Sequence, residues 1–143
     1  MIVPDVNLLI YAADSSSPHH APAARWWTGA LNGAVVVGLP WSTILAFVRL
    51  ITSPRVFVQP LNSGQALDAV QNWMSRPHVV ALEATQRHLA LVRGLLEGVG
   101  TAGNLVSDAH LAALAIEHGA TLHSADADFS RFPGLKWVNP LID

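Results

Sequence analysis

Four aspartates have the residue type and the placement to do chemistry together. Asp5 follows the short apolar run Ile2-Val3-Pro4. Asp126 and Asp128 come just after the apolar run Ala120 to His123, and Asp108 falls in the first turn of a helical stretch that begins near Asn104. Carboxylates gathered in one cleft repel one another, raise one another's pKa and destabilise the fold unless a cation compensates them. A set of hard oxygen donors, with water in the remaining positions, suits Mg²⁺ or Mn²⁺. In phosphodiester cleavage such an ion helps to form a hydroxide nucleophile and stabilises charge on the phosphate and the leaving oxygen. Each acid also has an ordinary structural reading. Asp108 can be a partner for the helix dipole, Asp5 can cap the helix that follows it, and Asp128 can be the N-cap of a short turn. It is the set, in a chain with only ten acidic residues, that favours a site.

The elements that must position these acids follow from apolar periodicity and breakers. Strands are expected at Ile2-Val3, Ala34 to Val37, His78 to Leu82, Ala120 to His123 and Leu135 to Val138. Helices are expected over Val6 to Ala13, His20 to Leu31, Trp41 to Thr52, Ser63 to Met74 with Ser63 as N-cap, Thr85 to Glu97 ending at Gly98, and Asn104 to His118 with Gly119 closing it. A short helical turn is expected from Asp126 to Arg131. Short apolar strands alternating with helices predict an α/β domain, a parallel sheet covered on both faces. Ligand sites in such folds lie beyond the carboxyl ends of the strands, where Asp5 and Asp126 would stand. With 143 residues and no linker or repeat, one domain spanning 1–143 is expected.

Composition narrows the function. Apolar residues are 51% and charged residues 13%, low against roughly 25% for soluble domains. Some apolar surface is therefore expected to be covered by another chain, in an oligomer or a complex. The net charge of −2 and the absence of a lysine-rich run argue against binding nucleic acid by bulk phosphate neutralisation alone. The lack of cysteine excludes disulfides, thiolate catalysis and cysteine-based zinc sites, and fits a reducing cytoplasm. No signal peptide and no membrane-spanning run is read in the sequence, so a cytoplasmic protein without membrane contact is expected.

The acidic segments resemble the motifs of PIN domains, and in particular of VapC toxins. Asp5-Val6-Asn7 is similar to the opening D-x-N motif; Val106 to Ala115, with Asp108, is similar to the third acidic motif and its helix; Leu122 to Phe129 is similar to the last, with a hydroxyl residue, Ser124, two positions before Asp126. The segments from Trp41 to Pro54 and from Arg131 to Pro140 resemble a VapC subgroup best known from mycobacteria, and the likeness runs from Ile2 to about Leu141. The resemblance implies a three-layer α/β/α sandwich, a Mg²⁺ or Mn²⁺ cofactor, and endoribonuclease activity as the toxin of a type II pair. It also implies a homodimer and a VapB-type antitoxin partner. By position, Asp5, Asp108 and Asp126 would be the metal ligands, Asn7 would support Asp5 by hydrogen bonding, and Ser124 would orient groups around Asp126.

One departure stands out. PIN domains carry a glutamate on the helix after the second strand, and the matching stretch here, Leu45-Ala46-Phe47-Val48-Arg49, places Phe47 at that position. The subgroup shares this pattern, which reads as a subgroup trait, and Asp128 is the candidate to supply the missing acid. Arg49 could contact phosphate, although such an arginine is more often an exposed helix residue or an antitoxin contact. His110, two residues from Asp108, is expected to point elsewhere, and no histidine is assigned a catalytic role. The five tryptophans are expected in core or interface packing ahead of base stacking.

Two other functions compete with a metal-dependent ribonuclease. An attenuated PIN domain acting as an RNA-binding or interaction module is motivated by the missing glutamate. A phosphatase of the haloacid dehalogenase type also begins with a strand-end aspartate, but it uses a second aspartate where this chain has Asn7 and needs a lysine, of which Lys136 is the only one.

Overall fold

A computed structural model describes residues 1–100, 103 and 105–142. Five strands form one all-parallel sheet in the order β3-β2-β1-β4-β5: β1 (Ile2–Pro4), β2 (Val37–Pro40), β3 (Val79–Leu82), β4 (Thr121–His123) and β5 (Trp137–Val138). The helices are α1 (Val6–Ala13), α2 (His20–Asn32), α3 (Trp41–Ile51), α4 (Ser63–Met74), α5 (His88–Val99) and α6 (Leu105–Glu117), with a short 3₁₀ helix at Ala127–Arg131. The chain builds outward from β1 through β2 to β3, then returns to the other side of β1 for β4 and β5. That reversal places a crevice at the carboxyl ends of β1 and β4.

Two apolar clusters define the layers. On one side Leu9 of α1, Trp27 of α2, Phe47 of α3 and Trp73 of α4 pack on Val37, Leu39 and Val79. On the other, Leu95 of α5 and Ala109, Ala112 and Ala113 of α6 pack on Val3 and Leu122. The buried alanines let α6 lie close to the sheet. The result is the expected α/β/α sandwich around a parallel sheet.

The expected elements are present, with shifts that have physical causes. The β-branched run Ala34 to Val37 predicts β2 too early; the strand starts where that run ends, and Val35 is 54% exposed. Pairing decides the matter: Val37 through Pro40 lie in register with Val79 through Leu82, and non-local packing overrides β propensity. Gly38 permits this approach, because a methyl group there would lie 2.6 Å from Leu82 Cδ1. The N-cap of α4 is Asn62 rather than Ser63. Its Oδ1 accepts from the Gln65 amide (2.8 Å), while Gln65 Oε1 accepts from its own amide (3.0 Å), a reciprocal capping box. Helix α5 begins at His88, three residues later than expected, and runs through Gly98 to end at Gly100 in the left-handed region (φ 73°). Gly119 follows α6 with φ 63°, while the expected start of that helix at Asn104 lies outside the described residues. No described helix is long and apolar enough to cross a membrane.

Candidate active site

Asp5 leaves the end of β1 with extended backbone (φ −76°, ψ 147°) and occupies the N-cap position of α1, yet its side chain makes no capping hydrogen bond. A carboxylate at a helix start that does not cap is available for other work. Its amide donates to the His123 carbonyl (2.9 Å), which fastens the end of β1 to the end of β4. One residue beyond β4, the fully buried Ser124 donates its hydroxyl to Asp5 Oδ2 (2.7 Å) and accepts from the Asp126 amide (3.0 Å). The Ser124 carbonyl in turn accepts from Trp137 Nε1 (3.0 Å). Ser124 thus binds Asp5 to Asp126, a wider role than orienting groups around Asp126 alone.

Asp5, Asp108 and Asp126 all line one cleft of about 420 Å³ at the carboxyl end of the sheet. Asp108 reaches it from the first turn of α6, and Ser42, Ala46 and Arg49 face it from α3. Asn7 lines the cleft as well. Its amide, like that of Val6, pulls the Asp5 pKa back down without making a well-formed hydrogen bond, so support for Asp5 comes from the main chain of α1 and from Ser124. Asp128 is exposed beyond the cleft lining, and its amide donates to Asp126 Oδ1 (2.9 Å) in the cap of the 3₁₀ helix.

The acids feel one another. Burial raises the pKa of Asp5; the hydroxyl of Ser124 and the Val6 amide oppose this, and the charge of Asp126 adds to it. Asp108 is pushed up to about 6, chiefly by burial and then by the charges of Asp126, Asp5 and Asp128. Among the described residues no arginine or lysine is ion-paired with this group. An uncompensated set of carboxylates fits a divalent cation. As the side chains stand, no three acids or histidines among the described residues converge closely enough to hold a metal directly. Such a spread set suits an ion that keeps several of its own waters, as Mg²⁺ does.

Helix α3 brings no acid to the cleft. Phe47, the position of the missing glutamate, is fully buried, with its ring packed against Trp73 (4.7 Å, 63°). The expectation for His110 is corrected: it lines the same cleft as Asp108. Its Nε2 meets Ser42 Oγ (3.1 Å), and its Nδ1 meets Nε2 of His88 (2.8 Å), whose Nδ1 faces Glu117 (3.2 Å). Sequence reasoning missed Ser42 and His110 because the contacts join three distant segments. The available signal was the seven-residue spacing of His110 and Glu117, which puts both on one face of α6. Of the tryptophans, Trp27 and Trp73 are core residues as expected, whereas Trp41 is 48% exposed.

A doubly covered parallel sheet with strand-end acids around one crevice is the architecture of a family, and comparison of sequences says which. The chain belongs to the PIN domain family, whose profile matches residues 2–135. It is 45% identical over 141 residues, 99% of each chain, to Ribonuclease VapC33 of Mycobacterium tuberculosis. It is 46% identical over 140 residues, 98% of this chain and 97% of the relative, to Ribonuclease VapC37 of the same organism. Among solved structures, VapBC2 from Rickettsia felis bound to a promoter DNA fragment aligns with TM-score 0.68 at 19% identity, covering 97% of this chain and 98% of the other. VapC20 of Mycobacterium tuberculosis, described as a sarcin-ricin loop cleaving toxin, aligns with TM-score 0.64 at 17% identity, covering 95% and 99%. These two share the fold.

Proposed function

We propose that the chain, acting as a single domain, is a metal-dependent endoribonuclease and the toxin of a type II toxin–antitoxin pair. The observation that carries the reading is geometric: Asp5, Asp108 and Asp126 line one cleft, and the buried Ser124 ties the first to the last. Asp5, Asp108 and Asp126 would hold Mg²⁺ or Mn²⁺, and Asp128 would assist from the rim. When bound there, such an ion would lower the pKa of an attacking water and offset charge on the phosphate being cut. Ser124 keeps Asp5 and Asp126 in place, Asn7 lies beside them, and Arg49 on the facing wall meets the phosphate backbone. The full-length relatives named as VapC ribonucleases support this assignment of substrate and reaction.

The partners follow from the same reading. A VapB-type antitoxin is supported by structural neighbours that are toxin–antitoxin complexes, from Rickettsia felis and Salmonella typhimurium. A homodimer is supported by the apolar side chains left at the surface, Trp41 and Leu45 on α3 and Val106 on α6. RNA, antitoxin and toxin would meet in the cytoplasm. The test is cleavage of RNA by the purified chain in Mn²⁺: it should require the ion and be abolished in Asp5→Ala. Equal cleavage in EDTA would rule out the metal mechanism.

The absence of an acid from α3 favours one other reading, a PIN domain that binds RNA or protein without cutting. Calorimetric titration separates the two, because saturable Mn²⁺ binding at millimolar levels belongs only to the enzyme.

A further inference from the structure

The cleft has a second polar part, which the metal reading leaves unused. It ends in Ser42 and His110, and behind them runs a chain of hydrogen bonds into the interior. Glu117 stands at the far end with its side chain fully buried. Its Oε1 accepts from the Thr85 amide (3.0 Å), and both its oxygens face His88 Nδ1 at 3.2 Å. The His88 and His110 rings meet edge to face, with centroids 4.8 Å apart, and share one hydrogen between Nε2 of the first and Nδ1 of the second (2.8 Å).

With both imidazoles neutral, this chain has a direction. A carboxylate offers only acceptors, so His88 Nδ1 carries the hydrogen. A neutral imidazole then has its lone pair on Nε2, which must accept from His110 Nδ1. His110 in turn has its lone pair on Nε2, which must accept from the Ser42 hydroxyl, 3.1 Å away. The Ser42 hydrogen is thereby committed, and the oxygen turned to the cleft is left as an acceptor. Phosphate oxygens have no hydrogen to give it. On an RNA strand the groups that do are the ribose 2′-hydroxyl, the exocyclic amines of bases and the ring N–H groups of guanine and uracil.

We infer that Ser42, held as an acceptor by the Glu117–His88–His110 chain, reads a hydrogen-bond donor on the RNA strand beside the scissile phosphate. Ser42 is the contacting residue; His110, His88 and Glu117 are positioning residues. The proposal rests on the ribonuclease reading above.

The test uses an RNA oligonucleotide that the unaltered chain cuts in Mn²⁺. In one series each ribose near the cut is replaced singly by deoxyribose; in the other each amino-bearing base is replaced by its desamino analogue, and each guanine or uracil by its ring N-methylated analogue. One replacement should lower kcat/KM of the unaltered chain roughly two- to tenfold, the worth of one neutral hydrogen bond. It should not lower that of Ser42→Ala, which begins at the reduced value. The series in which the effect falls says whether the donor is sugar or base. Ser42→Thr should recover the sensitivity, and His110→Phe, which frees the Ser42 hydrogen and leaves the hydroxyl unoriented, should weaken it. Nitrogen NMR of the imidazoles should find the hydrogen on Nδ1 of both His88 and His110. A Ser42→Ala protein as sensitive to every replacement as the unaltered chain overturns this proposal alone, as does a hydrogen on Nε2 of neutral His110. Absence of cleavage by the unaltered chain overturns the ribonuclease reading and this proposal with it.

Discussion

The Ser124 hydroxyl donates to Asp5 Oδ2 at 2.7 Å while accepting from the Asp126 amide, so one buried side chain ties together the acids that end β1 and open the turn after β4. Neighbouring strands in a parallel sheet fix where their ends lie, but not which way a side chain beyond the end will turn. Ser124 supplies that second constraint. Ser124→Ala should leave the buried end of this network unpaired, at a cost of about 1–3 kcal/mol measured by urea denaturation. Cleavage should fall with it, since Asp5 loses the bond that orients it. Unchanged stability would mean that water replaces the hydroxyl.

Charge on Asp108 opposes folding when no cation is bound. Its pKa is about 6 in the folded chain against an ordinary 3.8, so between these values the folded state keeps a proton that the unfolded state has released. The stability from this group is therefore fully present below 3.8 and is lost as pH rises through about 6. Asp108→Asn removes the penalty without changing the shape of the side chain. It should raise Tm of the metal-free protein by a few degrees at about pH 8, leave it unchanged at about pH 4, and abolish cleavage. A Tm gain of the same size at both pH values would point to packing as its cause.

Mn²⁺ should act in the same pH window. At a hundredfold its Kd an ion that binds only the folded chain stabilises by about 2.7 kcal/mol. Thermal denaturation with and without Mn²⁺ should show this gain at about pH 8 and its decline as Asp108 takes up its proton near 6. In Asp5→Ala the gain should be absent at every pH. Stabilisation of Asp5→Ala equal to that of the unaltered chain would place the ion elsewhere.

Much of this was legible in the sequence because it is local. Breakers and apolar periodicity locate α1, α3, α4 and β3 to within a residue or two, and acids directly after apolar runs mark the crevice without any knowledge of pairing. What was not legible depends on contacts between distant segments. The start of β2 at Val37 is set by register with β3, not by the valines before it. The turn of His110 into the cleft is set by partners on α3 and α5. Spacing from Asp108 alone sends it elsewhere.

Phe47 shows why the missing glutamate cannot be restored by simple replacement. Its ring is fully buried against Trp73, so Phe47→Glu would remove an aromatic ring and put an unpaired carboxylate among apolar side chains. The loss should reach or exceed the roughly 3–5 kcal/mol of a buried Phe→Ala change, with unfolding at a lower urea concentration and no gain in metal affinity. Ala46, one residue earlier, lines the cleft with Asp5, Asp108 and Asp126. Ala46→Glu should therefore fold, carry a carboxylate to the acidic group from α3, and tighten Mn²⁺ binding measured by calorimetry. Tighter binding in Phe47→Glu and none in Ala46→Glu would mean that α3 rotates when the ion binds.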